Sequence, residues 1–172
     1  WQANIAAIIL AAGQSRRMGR PKMLLPWGGT TVLGQVLKVL AAALEADQGT
    51  NWEANKETES PTHKSLETAT GASRQMIVVT GGAREEVEGL ISQLQPALAV
   101  QCVFNPQFEA GEMLSSLQRG LAELGPEAKA ALIGLGDQPQ VSLSAARKVV
   151  AAFESSGARL VIPSFQQRRG HP

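Results

Sequence analysis

A single cysteine, Cys102, in 172 residues excludes an internal disulfide, and only two histidines stand beside it, too few for a structural zinc cluster. This usage suggests a reducing cytoplasm. No apolar run approaches the ~20 residues needed to cross a bilayer. The longest spans Ile5 to Ala12. No basic segment leads into an apolar stretch at the start, so neither membrane insertion nor secretion is expected. A dominant charge is missing too: 16 Lys and Arg face 15 Asp and Glu, for a net +1. No global field therefore draws the chain to nucleic acid, and charge arguments must be local. What is present is 44% hydrophobic and 18% charged residues, within the globular range. One domain covering residues 1–172, built on one core, is the expectation.

Along the chain, short apolar runs alternate with segments whose apolar residues fall three and four apart. Ile5–Ala11, Met76–Thr80, Ala99–Phe104, Ala131–Leu135 and Leu160–Ile162 read as strands. Val32–Leu44, Glu85–Leu94, Leu114–Leu124 and Ser144–Phe153 read as helices, with Ser or Thr near several starts to cap them. Continuous apolar strands joined by helical crossovers imply an α/β fold with a mostly parallel sheet covered on both faces. One segment breaks this rhythm. Asp47 to Gln75 is polar throughout and reads as a surface insertion that cannot build core.

Four motifs carry chemistry. LAAGQSRRMGRPK, residues 10–22, follows the first strand: Gly13 and Gly19 permit close backbone approach, while Arg16, Arg17, Arg20 and Lys22 place four cations in seven residues. The loop suits a polyphosphate, or it is simply a solvated basic turn. It is neither a Walker A loop nor a three-glycine dinucleotide fingerprint. LGDQP, residues 135–139, puts Asp137 at the end of the fourth strand. There it serves as a ligand for Mg²⁺ shared with phosphate, or as a turn residue before Pro139. IPSFQQRRGHP, residues 162–172, brings Arg168, Arg169 and His171 after the fifth strand, as anion donors or as a terminal tail. NPQFEAGEMLSSLQRGL, residues 105–121, offers Ser115 and Ser116 at a helix start, where capping with a turn at Gly111 is the simpler reading. Cys102 lies in an apolar strand and reads as core. No nucleophile–histidine pair suggests covalent hydrolysis.

At these motifs, in this order, the sequence resembles the molybdenum cofactor cytidylyltransferases within the wider MobA-like nucleotidyltransferases. The resemblance implies a Rossmann-like three-layer sandwich that moves CMP from CTP to a phosphorylated acceptor, the molybdopterin cofactor, and releases pyrophosphate with Mg²⁺. By the same resemblance Leu10, Ala11, Ala12 and Gly13 would approach the nucleotide, Arg17 and Lys22 its phosphates, Asp137 the metal, and Arg168, Arg169 and His171 the acceptor. The family pattern usually continues past Gly-His-Pro to a second Gly-Asp, so a chain reaching Pro172 reads as truncated relative to it. Guanylyltransferases are similar but carry Leu-Ala-Gly-Gly where Ala12 stands here. Methylerythritol-phosphate cytidylyltransferases share the Ala-Ala-Gly opening, and a nucleotide-binding module without turnover is a further alternative.

Overall fold

The computed structural model describes residues 4–13, 20–45, 75–94, 99–110, 113–165 and 168–169. Its centre is a four-stranded parallel sheet. β1 (Ile5–Ala11), β4 (Met76–Thr80), β5 (Val100–Phe104) and β6 (Ala130–Leu135) pair in the order β5-β4-β1-β6. Between β1 and β4 in sequence, β2 (Pro26–Trp27) and β3 (Thr30–Thr31) make a small antiparallel hairpin. In the sheet Ile9 stands beside Val78, and Ile8 beside Ile133. β1 and β4 are covered on both faces, as their unbroken apolar sequences require.

The chain steps from β1 through α1 (Val32–Leu44) to β4, then through α2 (Arg84–Leu94) to β5, always to the same side. It then crosses back through α3 (Met113–Ala122) to β6, on the far side of β1. A right-handed crossover that reverses direction must change faces. Accordingly α1 packs with α2 and with α4 (Leu143–Ser156), while α3 lies against β1, β4 and β5. The larger core holds Ile9, Leu33, Leu37, Leu40 and Val78. The smaller one, Ile8, Ile77, Val79 and Val103, fills the opposite face.

Two helix starts carry the hydroxyl caps expected of them. Thr31 accepts from Gly34 N at 3.1 Å and Ser142 from Ala145 N at 3.1 Å. Two expectations are corrected. Leu160–Ile162 joins no strand: Leu160 is 73% exposed, and a cavity separates the segment from β6. Three apolar residues look like a strand, but nothing in their pattern says whether an edge is within reach. The chain instead forms a second small hairpin from β7 (Ser164–Phe165) and β8 (Arg168–Arg169).

The second correction concerns Gln75, which belongs to the sheet and not to the polar insertion. Its carbonyl accepts from Ala7 N at 2.9 Å, its Oε1 accepts from Gly125 N at 2.9 Å and its Nε2 donates to Glu123 O at 2.8 Å. The remainder of the insertion, from Asp47 to residue 74, lies outside the described residues.

Candidate functional site

In an open parallel sheet, ligands bind beyond the carboxyl ends of the strands where the winding reverses. Here that switch point lies between β1 and β6, since β4 and β5 follow on one side of β1 and β6 sits on the other. The two strongest motifs flank it. Ala12 and exposed Gly13 leave the end of β1, and Gly136 with exposed Asp137 turns away from the end of β6.

Backbone contacts lock these ends together. Gly136 N donates to Leu10 O at 2.9 Å, extending the ladder one residue past β6, and Gln138 N closes the turn onto Leu135 O at 3.2 Å. A Cβ on Gly136 would lie 3.1 Å from Leu10 O and 3.2 Å from both Leu33 Cδ1 and Met23 Sδ. Met23 is buried in the larger core, directly after Lys22 in the 3-10 turn Lys22–Leu24. The same packing that seats the Asp137 turn thus anchors Lys22 nearby. Lys22 and Arg20 are both exposed, leaving cationic groups at this edge.

A third strand end closes on the same place. Gly81 is buried just after β4, and a Cβ there would come within 2.5 Å of Ala12 O, 2.8 Å of Ala12 Cα and 2.8 Å of Phe108 Cβ. Only hydrogen fits between these two strand ends. Sequence reasoning passed over Gly81, although a Thr-Gly-Gly step directly after an apolar strand was the available signal.

It also passed over Asn105. This residue is 2% exposed; its N–H donates to Thr80 O at 2.9 Å, and its Nδ2 donates to Ser115 Oγ and Ser116 Oγ, each at 3.0 Å. The two serines therefore do not cap α3, which begins at Met113. They accept from Asn105 inside the first turn and join α3 to the ends of β4 and β5. Gly111 is outside the described residues.

Of the remaining expected residues, Leu10 and Ala11 end β1, with Ala11 buried and Leu10 half-buried. Arg16, Arg17, Gly19 and His171 lie outside the described residues, while Arg168 and Arg169 form β8. Cys102 is half-buried, and burial foremost, with Glu88 adding and Arg84 opposing, pushes its thiol from 9.0 up to about 11. That makes it a poor nucleophile, as expected of a packing residue.

Among the described residues no three His, Cys, Asp or Glu side chains converge on a metal position. A lone exposed carboxylate fits a hard divalent cation that keeps water and takes its other oxygens from phosphate, and Asp137 is such a group. No helix among the described residues is long and apolar enough to cross a membrane.

Residues 7–172 match the model of the MobA-like NTP transferase domain. A probable molybdenum cofactor guanylyltransferase of Bacillus cereus (strain ATCC 10987 / NRS 248) is 48% identical over 40 residues, 23% of this chain and 20% of that protein. The molybdenum cofactor guanylyltransferase of Rhodobacter capsulatus is 54% identical over 43 residues, 25% of this chain and 22% of the relative. The matched stretch thus spans about a fifth of the length of these curated relatives. Among solved structures, Rv0371C of Mycobacterium tuberculosis H37Rv in complex with manganese superimposes with a TM-score of 0.63 at 27% identity. It covers 100% of this chain and 70% of its own.

Proposed function

Because the chain belongs to the MobA-like NTP transferase family, we propose that it transfers a nucleoside monophosphate from a triphosphate to a phosphorylated acceptor of the molybdopterin type, releasing pyrophosphate. The observation that carries this reading is the switch point. Leu10–Gly13 and Asp137 flank it, the strand ends that carry them joined by the Gly136–Leu10 hydrogen bond.

A phosphate monoester is largely ionised at neutral pH, its second pKa being about 6, so the acceptor needs orientation more than a general base. The loop backbone from Ala11 to Gly13 approaches the nucleotide, and Lys22 and Arg17 hold its phosphates and balance charge gathering on the leaving pyrophosphate. Asp137 would hold a divalent cation, magnesium or manganese, which supplies Lewis-acid stabilisation of phosphate oxygens. Arg168, Arg169 and His171 would meet the acceptor.

The donor we propose is GTP. The resemblance to cytidylyltransferases and Ala12 point to CTP, but the curated relatives carry guanylyl names. CTP remains the second reading for one reason: the Ala12 methyl takes space that glycine would leave to a purine, a discrimination of only ~1–3 kcal/mol. Equal pools of GTP and CTP competing for molybdopterin cofactor read out the ratio of specificity constants. GTP is expected to be incorporated in excess, and a preference for CTP rejects the guanylyl reading while leaving nucleotidyl transfer intact.

A further inference from the structure

Asn105 follows β5 at the carboxyl edge of the sheet, buried, and both hydrogens of its side chain are committed. Gln107 N donates to Asn105 Oδ1 at 3.0 Å, and because a backbone N–H can only donate, the amide turns its nitrogen toward Ser115 and Ser116. That arrangement dictates the residue type. An ionised aspartate has no hydrogen to give the two hydroxyls, and a shorter side chain cannot span from the turn to α3. The backbone of Asn105 is tied as well, its N–H to Thr80 O at 2.9 Å and its carbonyl accepting from Phe108 N at 3.3 Å. One buried residue thus sets where the 3-10 turn Phe108–Ala110 stands against the end of β4 and the first turn of α3.

This turn reaches the nucleotide side of the sheet. A Cβ on Gly81 would lie 2.8 Å from Phe108 Cβ and 2.8 Å from Ala12 Cα, so Phe108, Gly81 and Ala12 meet at a gap that only hydrogen fills. Main chain and one Cβ make the whole contact, with no flexible side-chain end to absorb a shift. The Phe108 ring is held in turn by Phe104, 6.0 Å away between centroids, and the Arg84 guanidinium lies 5.0 Å over the Phe104 ring. Displacing the Asn105 turn therefore displaces Ala12, which leaves the end of β1 at the switch point.

A similar fastening at the other end of the sheet shows what is particular here. Gln75 also uses its carboxamide to join β4 to the chain after α3, through Gly125 N and Glu123 O, but it stands at the amino edge. Both residues serve stability. Of these two, only Asn105 leads to the loop after β1.

Resting on the nucleotidyl-transfer reading above, we propose that Asn105 is a positioning residue for the donor nucleotide. It holds the Phe108 turn against Gly81 and so fixes the Ala12 backbone that the nucleoside meets, without touching substrate itself. The nucleoside keeps that contact in ground and transition states alike, so losing it weakens binding and spares the chemical step.

Calorimetric titration with GTP and Mg²⁺, steady-state kinetics and ligand-free amide NMR on Asn105→Ala and Gln75→Ala decide it. Asn105→Ala is expected to raise Kd and KM for GTP about tenfold with kcat within about twofold, and to move the Ala12 and Gly13 amides while Ile5–Ala7 stay in place. Gln75→Ala, which loses hydrogen bonds of the same kind, should leave GTP affinity within about twofold of wild type. Should Asn105→Ala fail to fold, Phe108→Gly, which removes the Cβ, must bind GTP at least about threefold more weakly than Phe108→Ala, which keeps it. Unchanged GTP affinity in folded Asn105→Ala, an equal loss in Gln75→Ala, or equal affinity in the two Phe108 variants overturns the proposal. So does Ser115→Ala reproducing the full loss with the Ala12 amide unmoved, since a hydroxyl contact with the nucleotide is then the cause. A wild-type chain that binds no triphosphate overturns the transfer reading itself.

Discussion

At the scale of single residues, Lys22 and Asp137 answer different questions. If Lys22 holds phosphate, Lys22→Ala removes a charge-assisted hydrogen bond worth ~1.5–3 kcal/mol. Triphosphate affinity then falls about tenfold to a hundredfold by calorimetry. Asp137→Asn is exposed and should fold normally, yet lose turnover by about a hundredfold or more, since stabilisation of phosphate charge by a metal is worth several kcal/mol. Gly81→Ala tests the geometry that joins the strand ends. A methyl forced against Ala12 costs ~1–3 kcal/mol in denaturant unfolding, and weakened GTP binding should accompany it. Cys102 has a pH signature. Burial raises its pKa from the ordinary 9.0 to about 11, so the contribution is fully present below pH 9 and is lost as pH rises toward 11. Cys102→Ala should flatten that decline in stability. The loop and Asp137 were legible because glycines, cations and a strand-end carboxylate announce themselves locally. Asn105 was not, because its meaning lies in serines ten and eleven residues away, brought beside it only by the fold.

Whole elements were readable where burial is two-sided. β1 and β4 form where unbroken Ile, Val and Ala runs predict them, and α1 buries Leu33, Val36, Leu37 and Leu40, the stripe its spacing prescribes. The misreadings occur where polarity or apolarity has a tertiary cause. Gln75 looks like insertion but fastens the amino end of β4 to the turn after α3. Leu160–Ile162 looks like a strand but lies across a cavity from β6, the end strand of the sheet. These differences give a paired prediction. Gln75→Ala should cost ~1–3 kcal/mol in urea unfolding, through two lost hydrogen bonds to backbone groups. Replacing residues 47–74 by a short Gly/Ser link should leave the thermal midpoint within a few degrees, because that composition cannot offset ordering entropy. A large drop on replacement would show that the segment contributes to the core.

For the molecule as a whole, the α/β rhythm was visible in sequence, but the strand order was not. Alternating strands and helices do not state which strand is central. That follows from crossover handedness and from α3 passing to the opposite face, and it is what puts the ends of β1 and β6 side by side. The central claim is that this switch point, and not the apolar cavity beyond β6, receives the nucleotide. Backbone NMR shift mapping during titration with GTP and Mg²⁺ tests it most directly. The largest changes are expected at Ala11–Gly13, Lys22 and Gly136–Gln138, with Ile5–Ala7 at the other end of β1 unmoved; changes concentrated at Phe153 and Arg159–Val161 would contradict the account.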